Sequence, residues 1–367
     1  MEEREKEYLY WLCQIPFLGA VTIQKLFDYY GSFEDIYNIE EKSLEECSLI
    51  HKRNQEAFFR WKQELNRCRE EYRRLPEKGI IFITPWEDAY PQRLKTLPSR
   101  PAGLYVRGRL PNDDRPSLAV IGARSCTSYG IQAAEYFGRI LSAQGIQIIS
   151  GLASGIDSAG HRGAVNAERD TYAVLGCGVN ICYPKENYLL YEKILEKGGI
   201  ISEFSLGGQP RPQNFPIRNR IISGLSDAVL VVEAREKSGS LITVDCALEQ
   251  GRDVFALPGR VTDPLSAGCN QLIKNGASLV TSPSDLIEYF GLKQEKILRL
   301  HEKNTNGLAK KEKMVYSCLD LQPKFLEQIV KECGLTPGEC VSILLGLEMG
   351  GFAMQTAGNY YIKKIER

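Results

Sequence analysis

The sequence predicts an α/β protein: a Rossmann-like, doubly wound, mostly parallel sheet, flanked by a small N-terminal helical domain and a C-terminal winged-helix domain. Three observations carry that expectation. Seven short apolar runs follow one another: SLAVIG (117–122), IQIIS (146–150), TYAVLG (171–176), GIIS (199–202), AVLVVEA (228–234), DVFALPG (253–259) and ASLVT (277–281). Helical segments of ten or more residues separate most of them, and continuous apolar strands alternating with helices form a parallel sheet covered on both faces. The composition, 43% apolar and 25% charged over 367 residues, suits a folded chain and excludes a disordered one.

In chain order, residues 1 to about 100 read as helical. Leu9, Leu12 and Cys13, then Ile23, Leu26, Phe27 and Tyr30, recur at helical spacing. IPFLGAVTIQKLFDYYGS has the helix, tight glycine turn and helix of a helix-hairpin-helix (SAM-like) unit. Its turn holds one glycine where good phosphate binders have two, so a plain packing role stands beside a DNA contact. Residues 55–74 read as an exposed charged helix. The expected boundaries are 1–102 for the helical domain, 103–290 for the Rossmann-like domain, 291–311 for a polar linker and 312–367 for the winged helix.

Charge and cysteine usage narrow the function. Lys plus Arg and Asp plus Glu are 46 each, a formal charge of zero. That excludes a protein coated with cations, so nucleic-acid binding requires a local basic cluster. No apolar run approaches the ~18 residues of a membrane-spanning helix. The start, MEEREKEYLYW, is acidic and unlike a secretory signal, so a cytoplasmic location is expected. Eleven cysteines without a CxxC pair, and three histidines, point to reduced thiols rather than to a metal site or disulfide framework.

In a doubly wound sheet the ligand crevice lies outside the carboxyl ends of the strands, so the loops after each run hold the candidates. The first ends in Gly122-Ala123-Arg124. It is no GxGxxG fingerprint, so no dinucleotide cofactor is expected, but it sets an Arg at the mouth of the crevice, suited to a phosphate. The second, Ser150-Gly151-Leu152-Ala153-Ser154-Gly155-Ile156-Asp157, leads small residues into a helix start, an anion nest without a Walker lysine. Asp157 has a second reading as the helix cap, and His161 reads as a packing residue. Lys185 adds charge after the third run. Phe215, Arg218, Asn219 and Arg220 form the densest cluster: an aromatic able to stack on a base, beside cations that track a backbone. Ser238, Gly239, Ser240 and Thr243 offer amides and hydroxyls to one phosphate. Glu233 has two readings, pairing with an Arg in the crevice or catalysis.

GAR (122–124), SGLASGID (150–157), NFPIRNRIISGLS (214–226), VVEA (231–234) and SGSLIT (238–243) resemble the motifs of DNA-processing protein A, the DprA/Smf family. The resemblance is specific over about 105–285 and looser at both ends. It implies a non-catalytic protein that binds single-stranded DNA taken up in natural transformation, protects it and helps load RecA recombinase. It also implies a homodimer formed through the Rossmann-like domain, for which Leu272 and Ile273 are candidate contacts. By the same resemblance Arg124 holds a DNA phosphate, Ser150, Gly151, Gly155 and Asp157 form the second-loop motif, and Phe215, Arg218, Asn219 and Arg220 form the central pocket. Ser238, Gly239, Ser240 and Thr243 form the last phosphate loop, and Lys185 is a plausible basic contact. One departure stands out: the recognition helix, 337–349, has two Glu and no Lys or Arg, so this domain is expected not to bind DNA strongly by itself. The alternative is a Rossmann-like nucleotide phosphoribohydrolase, but its PGGxGTxxE loop is replaced by EKSGSLITVD, with Asp245 off the expected spacing.

Overall fold

The computed structural model describes residues 1–47, 49–292, 308–320, 323–356 and 358–364. Most of the expected linker, at 293–307, lies outside the described residues. The large sheet consists of β1 (Ile80–Ile83), β2 (Leu104–Gly108), β3 (Ser117–Ile121), β4 (Gln147–Ser150), β5 (Thr171–Val174), β6 (Gly199–Ser202), β7 (Ala228–Val231), β8 (Asp253–Ala256) and β9 (Ser278–Leu279). Their spatial order is β1-β2-β6-β5-β4-β3-β7-β8-β9. From β3 to β9 every pair is parallel; β1 and β2 join antiparallel at one edge.

The chain begins the parallel part at β3, winds outward through β4 and β5 to β6, then returns to set β7 on the other flank of β3. That reversal is a topological switch point, where a crevice opens beyond the carboxyl ends of the strands. Burial follows from the apolar runs. Every residue of β3, β4, β5 and β7 is buried. Successive side chains alternate between faces: Leu118 and Val120 meet helices Ser128–Ala143 and Ile156–Asn166. Ala119 and Ile121 share a cluster with Ile221 of helix Asn214–Gly224 and Val244 of helix Leu241–Glu249. Each fully buried Ile or Val contributes on the order of 1.5–3 kcal/mol.

Two features depart from the expectation. The helical reading to about 100 misses β1, and the sheet therefore takes in a strand that precedes the expected boundary at 102. IIFI is only four residues long, and as an edge strand it leaves Ile81 exposed between buried Ile80 and Phe82. The segment 55–74 forms two helices, Lys52–Lys62 and Leu65–Arg73, and Phe58, Leu65 and Cys68 are buried. The N-terminal helices are not a separate bead. Tyr10, Trp11 and Leu12 belong to one apolar cluster with Tyr105 of β2, Ala173 of β5 and Ile200 of β6, and Gln14 Nε2 donates to the Tyr105 hydroxyl at 2.5 Å.

The C-terminal part is a winged helix. Helices Lys310–Cys318, Leu326–Cys333 and Pro337–Met349 pack on Val315, Ile329 and Leu344, beside a sheet of β10 (Lys324–Phe325), β12 (Tyr360–Lys363) and β11 (Ala353–Gln355). The helix Pro337–Met349 turns Val341, Leu345 and Met349 outward.

His161 occupies the packing role. It is fully buried, and its Nδ1 lies 2.7 Å from Thr171 Oγ1, whose hydroxyl donates to the Ile148 carbonyl. Nδ1 must therefore carry the proton, and among the described residues Nε2 has no partner. Burial, with Arg218 and Arg162 adding to it, pushes the imidazole down to about 3. The unfolded chain takes up this proton near 6.5 and the folded chain does not. Stability from this site is thus complete above about 6.5 and falls with pH toward 3, by up to ~1.4 kcal/mol per pH unit. Urea midpoints between pH 7 and 5, compared with His161→Gln, should show a steeper fall in the wild type.

Candidate nucleic-acid interface

The loops after β3, β5 and β7, with the start of helix Asn214–Gly224, enclose an open cleft of about 700 Å³ at the switch point. Arg124, Asp157, Phe215, Arg218, Asn219, Ser238, Gly239, Ser240 and Thr243 line it. So nine of the residues expected from sequence converge. Ser150, Gly151, Gly155, Lys185 and Arg220 do not line it, and each has a physical reason.

Ser150, the last residue of β4, is fully buried, and its hydroxyl donates to the Val120 carbonyl at 2.6 Å. It ties β4 to β3 and is not available to a ligand. Gly151 serves Arg218. Arg218 is itself buried, its Nη1 donating to the carbonyls of Gly151, at 2.8 Å, and of Val174. A Cβ on Gly151 would come 2.6 Å from that guanidinium. The Gly151 N–H donates to Asp157 Oδ2 at 3.1 Å. Burial pushes the Asp157 carboxyl up, while Arg218 and the Gly151 and Ala153 amides pull it back. Burial lowers Arg218 to about 10, with Asp157 opposing. The pair forms a charged floor. Asp157 is not the helix cap: Gly155 holds that position, at φ 81°. A side chain on Gly155 would strike the Ala123 and Arg124 carbonyls at 2.4 and 2.5 Å, so this glycine lets the second loop press against the first.

Phe215 stands above that floor, half-buried. The exposed Arg124 guanidinium lies 5.1 Å from its ring centroid, within cation–π range. Tyr183 stacks on it at 5.6 Å and 30°. Asn219 accepts from Arg218 Nε at 3.3 Å. Arg220, two residues along the helix from Arg218, faces the other way and pairs with Glu203 at 2.5 Å. The expectation that it lines the pocket is therefore corrected. Lys185 is exposed in the loop after β5, outside the lining.

On the opposite wall, Ser238 to Thr243 form the first turn of helix Leu241–Glu249 and the loop before it. A helix start presents the positive end of the dipole to an anion, although here the N–H groups of Ser240, Leu241 and Thr243 already donate to Ser238 Oγ and to the carbonyls of Ser238 and Ser240. The Ser238 and Ser240 hydroxyls lie 2.8 Å apart. Glu233 fits neither sequence reading. It is buried, and its carboxylate accepts from the Thr127 N–H at 2.8 Å and from the Thr127 hydroxyl, fixing the start of helix Ser128–Ala143. Leu272 and Ile273 are half-buried against the core. Among the lining residues not expected as site residues from sequence are Tyr183 and Arg235. The signal for Arg235 was its place one residue after VVEA; for Tyr183 it was the aromatic just before Pro184.

Three arginines and one carboxylate among the lining residues leave the cleft cationic in a chain of zero net charge. Since Gly151 makes room for Arg218, Gly151→Ala should destabilise the fold by about 1–3 kcal/mol, read as a lower urea midpoint, whereas Gly239→Ala, with open space around it, should change it little.

Comparison with known proteins identifies the family. The family model described as DNA recombination-mediator protein A matches residues 81–291, and the DprA winged helix domain matches 301–359. Protein Smf of Synechocystis is 33% identical across 98% of this chain and 99% of its own length. Protein Smf of Escherichia coli is 40% identical across 78% of each. The X-ray structure of DNA processing protein A from Streptococcus pneumoniae superposes with a TM-score of 0.66 at 34% identity, covering 77% of this chain and 97% of that one. A structure of DNA processing protein A from Helicobacter pylori, described for its single-stranded DNA binding mode, gives 0.52 at 30% identity, covering 57% of this chain and 95% of that one. With more than half its length matched by the family model, and a full-length relative at 33% identity, the chain belongs to the DNA recombination-mediator protein A family.

Proposed function

We propose that the protein binds single-stranded DNA in this cleft without catalysis, protects it, and helps load RecA recombinase onto it, as in natural transformation. It acts in the cytoplasm, as a homodimer formed through the Rossmann-like domain. The observation that carries the reading is the convergence of three arginines, an aromatic wall and a helix start on one open cleft. Phosphates take Arg124, Arg235 and the turn at Ser238–Thr243; an unpaired base takes the aromatic wall. Arg218, Asp157, Gly151 and Gly155 shape the floor, and Asn219 and Lys185 contact the strand at the rim.

Two observations favour binding over nucleotide hydrolysis. Glu233 is enclosed by Thr127, and Asp245 is exposed outside the lining. Neither acid reaches a substrate in the cleft. For the dimer, support comes from Leu279, which stays exposed on the edge strand β9; sedimentation of Leu279→Lys against wild type tests it, a monomer being the expected result.

Fluorescence anisotropy with labelled oligo-dT and a matching duplex, over a salt series, tests the main reading. Tight, salt-dependent binding to the single strand is expected. Arg124→Ala and Arg235→Ala should each weaken it about tenfold and flatten the log–log salt slope by about 0.7. Arg220→Gln should leave that slope unchanged. Equal binding to both DNAs, untouched by these substitutions, would sink the proposal. Release of free base from nucleoside monophosphates, lost in Glu233→Gln, would replace it with the hydrolase.

A further inference from the structure

We infer that Tyr183, not Phe215, presents the face on which the unpaired base stacks, and that Phe215 is a positioning residue behind it. The inference rests on the single-strand reading above and assigns the base-binding surface within it.

Phe215 has little open face to offer. One edge of its ring lies against Gly176, where an added Cβ would sit 2.9 Å from Cδ1. The Arg124 guanidinium lies 5.1 Å from its centroid, the Arg218 guanidinium 6.0 Å, and the Tyr183 ring stacks at 5.6 Å. A base stacking on Phe215 would have to displace one of these. Tyr183 lines the same cleft and is 41% exposed. Its near face is covered by Phe215; its far face is free of ring and cation contacts among the described residues.

The tyrosine is also held in place before any ligand arrives. The Ile181 N–H donates to the Gly178 carbonyl at 2.9 Å, and the Asn187 N–H to the Pro184 carbonyl at 3.1 Å. Buried Asn187 then donates through Nδ2 to the Leu152 carbonyl at 2.9 Å and to Ser158 Oγ at 2.7 Å. The loop after β5 is thereby fastened to the loop after β4 and its helix. A stacking face fixed in advance loses little entropy on binding. Stacking tolerates any base, and a base paired in a duplex has no free face to give. Tyr183 therefore supplies strand selectivity, while Arg124 and the helix start supply affinity for the backbone. Phe215 supports both, because Tyr183 and Arg124 rest on the same ring.

The two aromatics separate when two ligands are compared: labelled oligo-dT and an abasic phosphodiester strand of equal length. Tyr183→Ala should weaken oligo-dT about tenfold or more and change the abasic strand by less than about twofold. Tyr183→Phe should retain wild-type affinity for both. Phe215→Ala should weaken both strands. Tyr183→Trp should bind oligo-dT at least as well as wild type, with indole emission quenched by oligo-dT and not by the abasic strand. Equal losses on both strands for Tyr183→Ala would make Tyr183 a loop-packing residue and overturn the assignment, as would no loss on either. A wild-type protein that prefers neither strand over duplex fails the single-strand reading instead, and this assignment falls with it.

Discussion

A buried guanidinium organises the centre of this molecule. Arg218 enters the sheet from helix Asn214–Gly224 and caps the carbonyls at the ends of β4 and β5, at Gly151 and Val174. It does so opposite Asp157, whose carboxylate takes the Gly151 amide. Each charge offsets part of the cost of burying the other: Arg218 pulls the Asp157 carboxyl down and Asp157 pushes Arg218 up, both against desolvation. The arrangement therefore fixes several things together. It sets the end of two strands, the path of the second loop, and the rotation of the helix that carries Phe215 and Asn219. The cleft wall inherits its geometry from an interaction that lies beneath it.

The same reasoning explains how a chain of zero net charge acquires a cationic cleft. Three acids close to the cleft are engaged inward. Asp157 faces Arg218, Glu233 fixes the helix start at Thr127, and Glu203 takes Arg220 on the far side of the helix. Each of these three carboxylates is desolvated and accepts at least one hydrogen bond, and of the three only Asp157 lines the cleft. The exposed Arg124 and Arg235 then face solvent, with Asp157 as the one acid among the described lining residues. Field in the cleft is set by where acids are hidden more than by how many bases the chain carries.

Much of this was legible in the sequence. The parallel core follows from apolar runs with no alternation, since strands covered on both faces have no polar side. The β1 edge strand was hidden because four residues trailing a helical stretch carry no period of their own. At the site, spacing brought nine of the expected residues together, yet it could not sort the helix motif by face. At 3.6 residues per turn, Arg218 and Arg220 point to nearly opposite sides, and a motif with apolar residues on neither side alone gives no phase. Ser150 shows a second limit. A small polar residue at a strand end looks like a ligand contact, but the neighbouring strand's carbonyl claims its hydroxyl first. Tyr183 lies in an irregular loop, where only the folded path shows that it meets Phe215.

The strand order carries a consequence for how the molecule is made. β3 and β7 are adjacent, and the cleft lies between the loops that follow them, yet β4, β5 and β6 are synthesised in between. A growing chain that has emerged only as far as β6 owns Arg124 and the second loop but lacks Phe215, Arg218 and the turn at Ser238–Thr243. Until Arg218 arrives, Asp157 has no counter-charge and β3 presents one flank unpaired. Late docking of a central strand is a non-local event, slow because a long loop must close before its contacts form. During that interval an apolar strand edge is open to other chains. The cleft is thus assembled only when β7 and the loop after it dock beside β3, after the outer strands β4 to β6 are made.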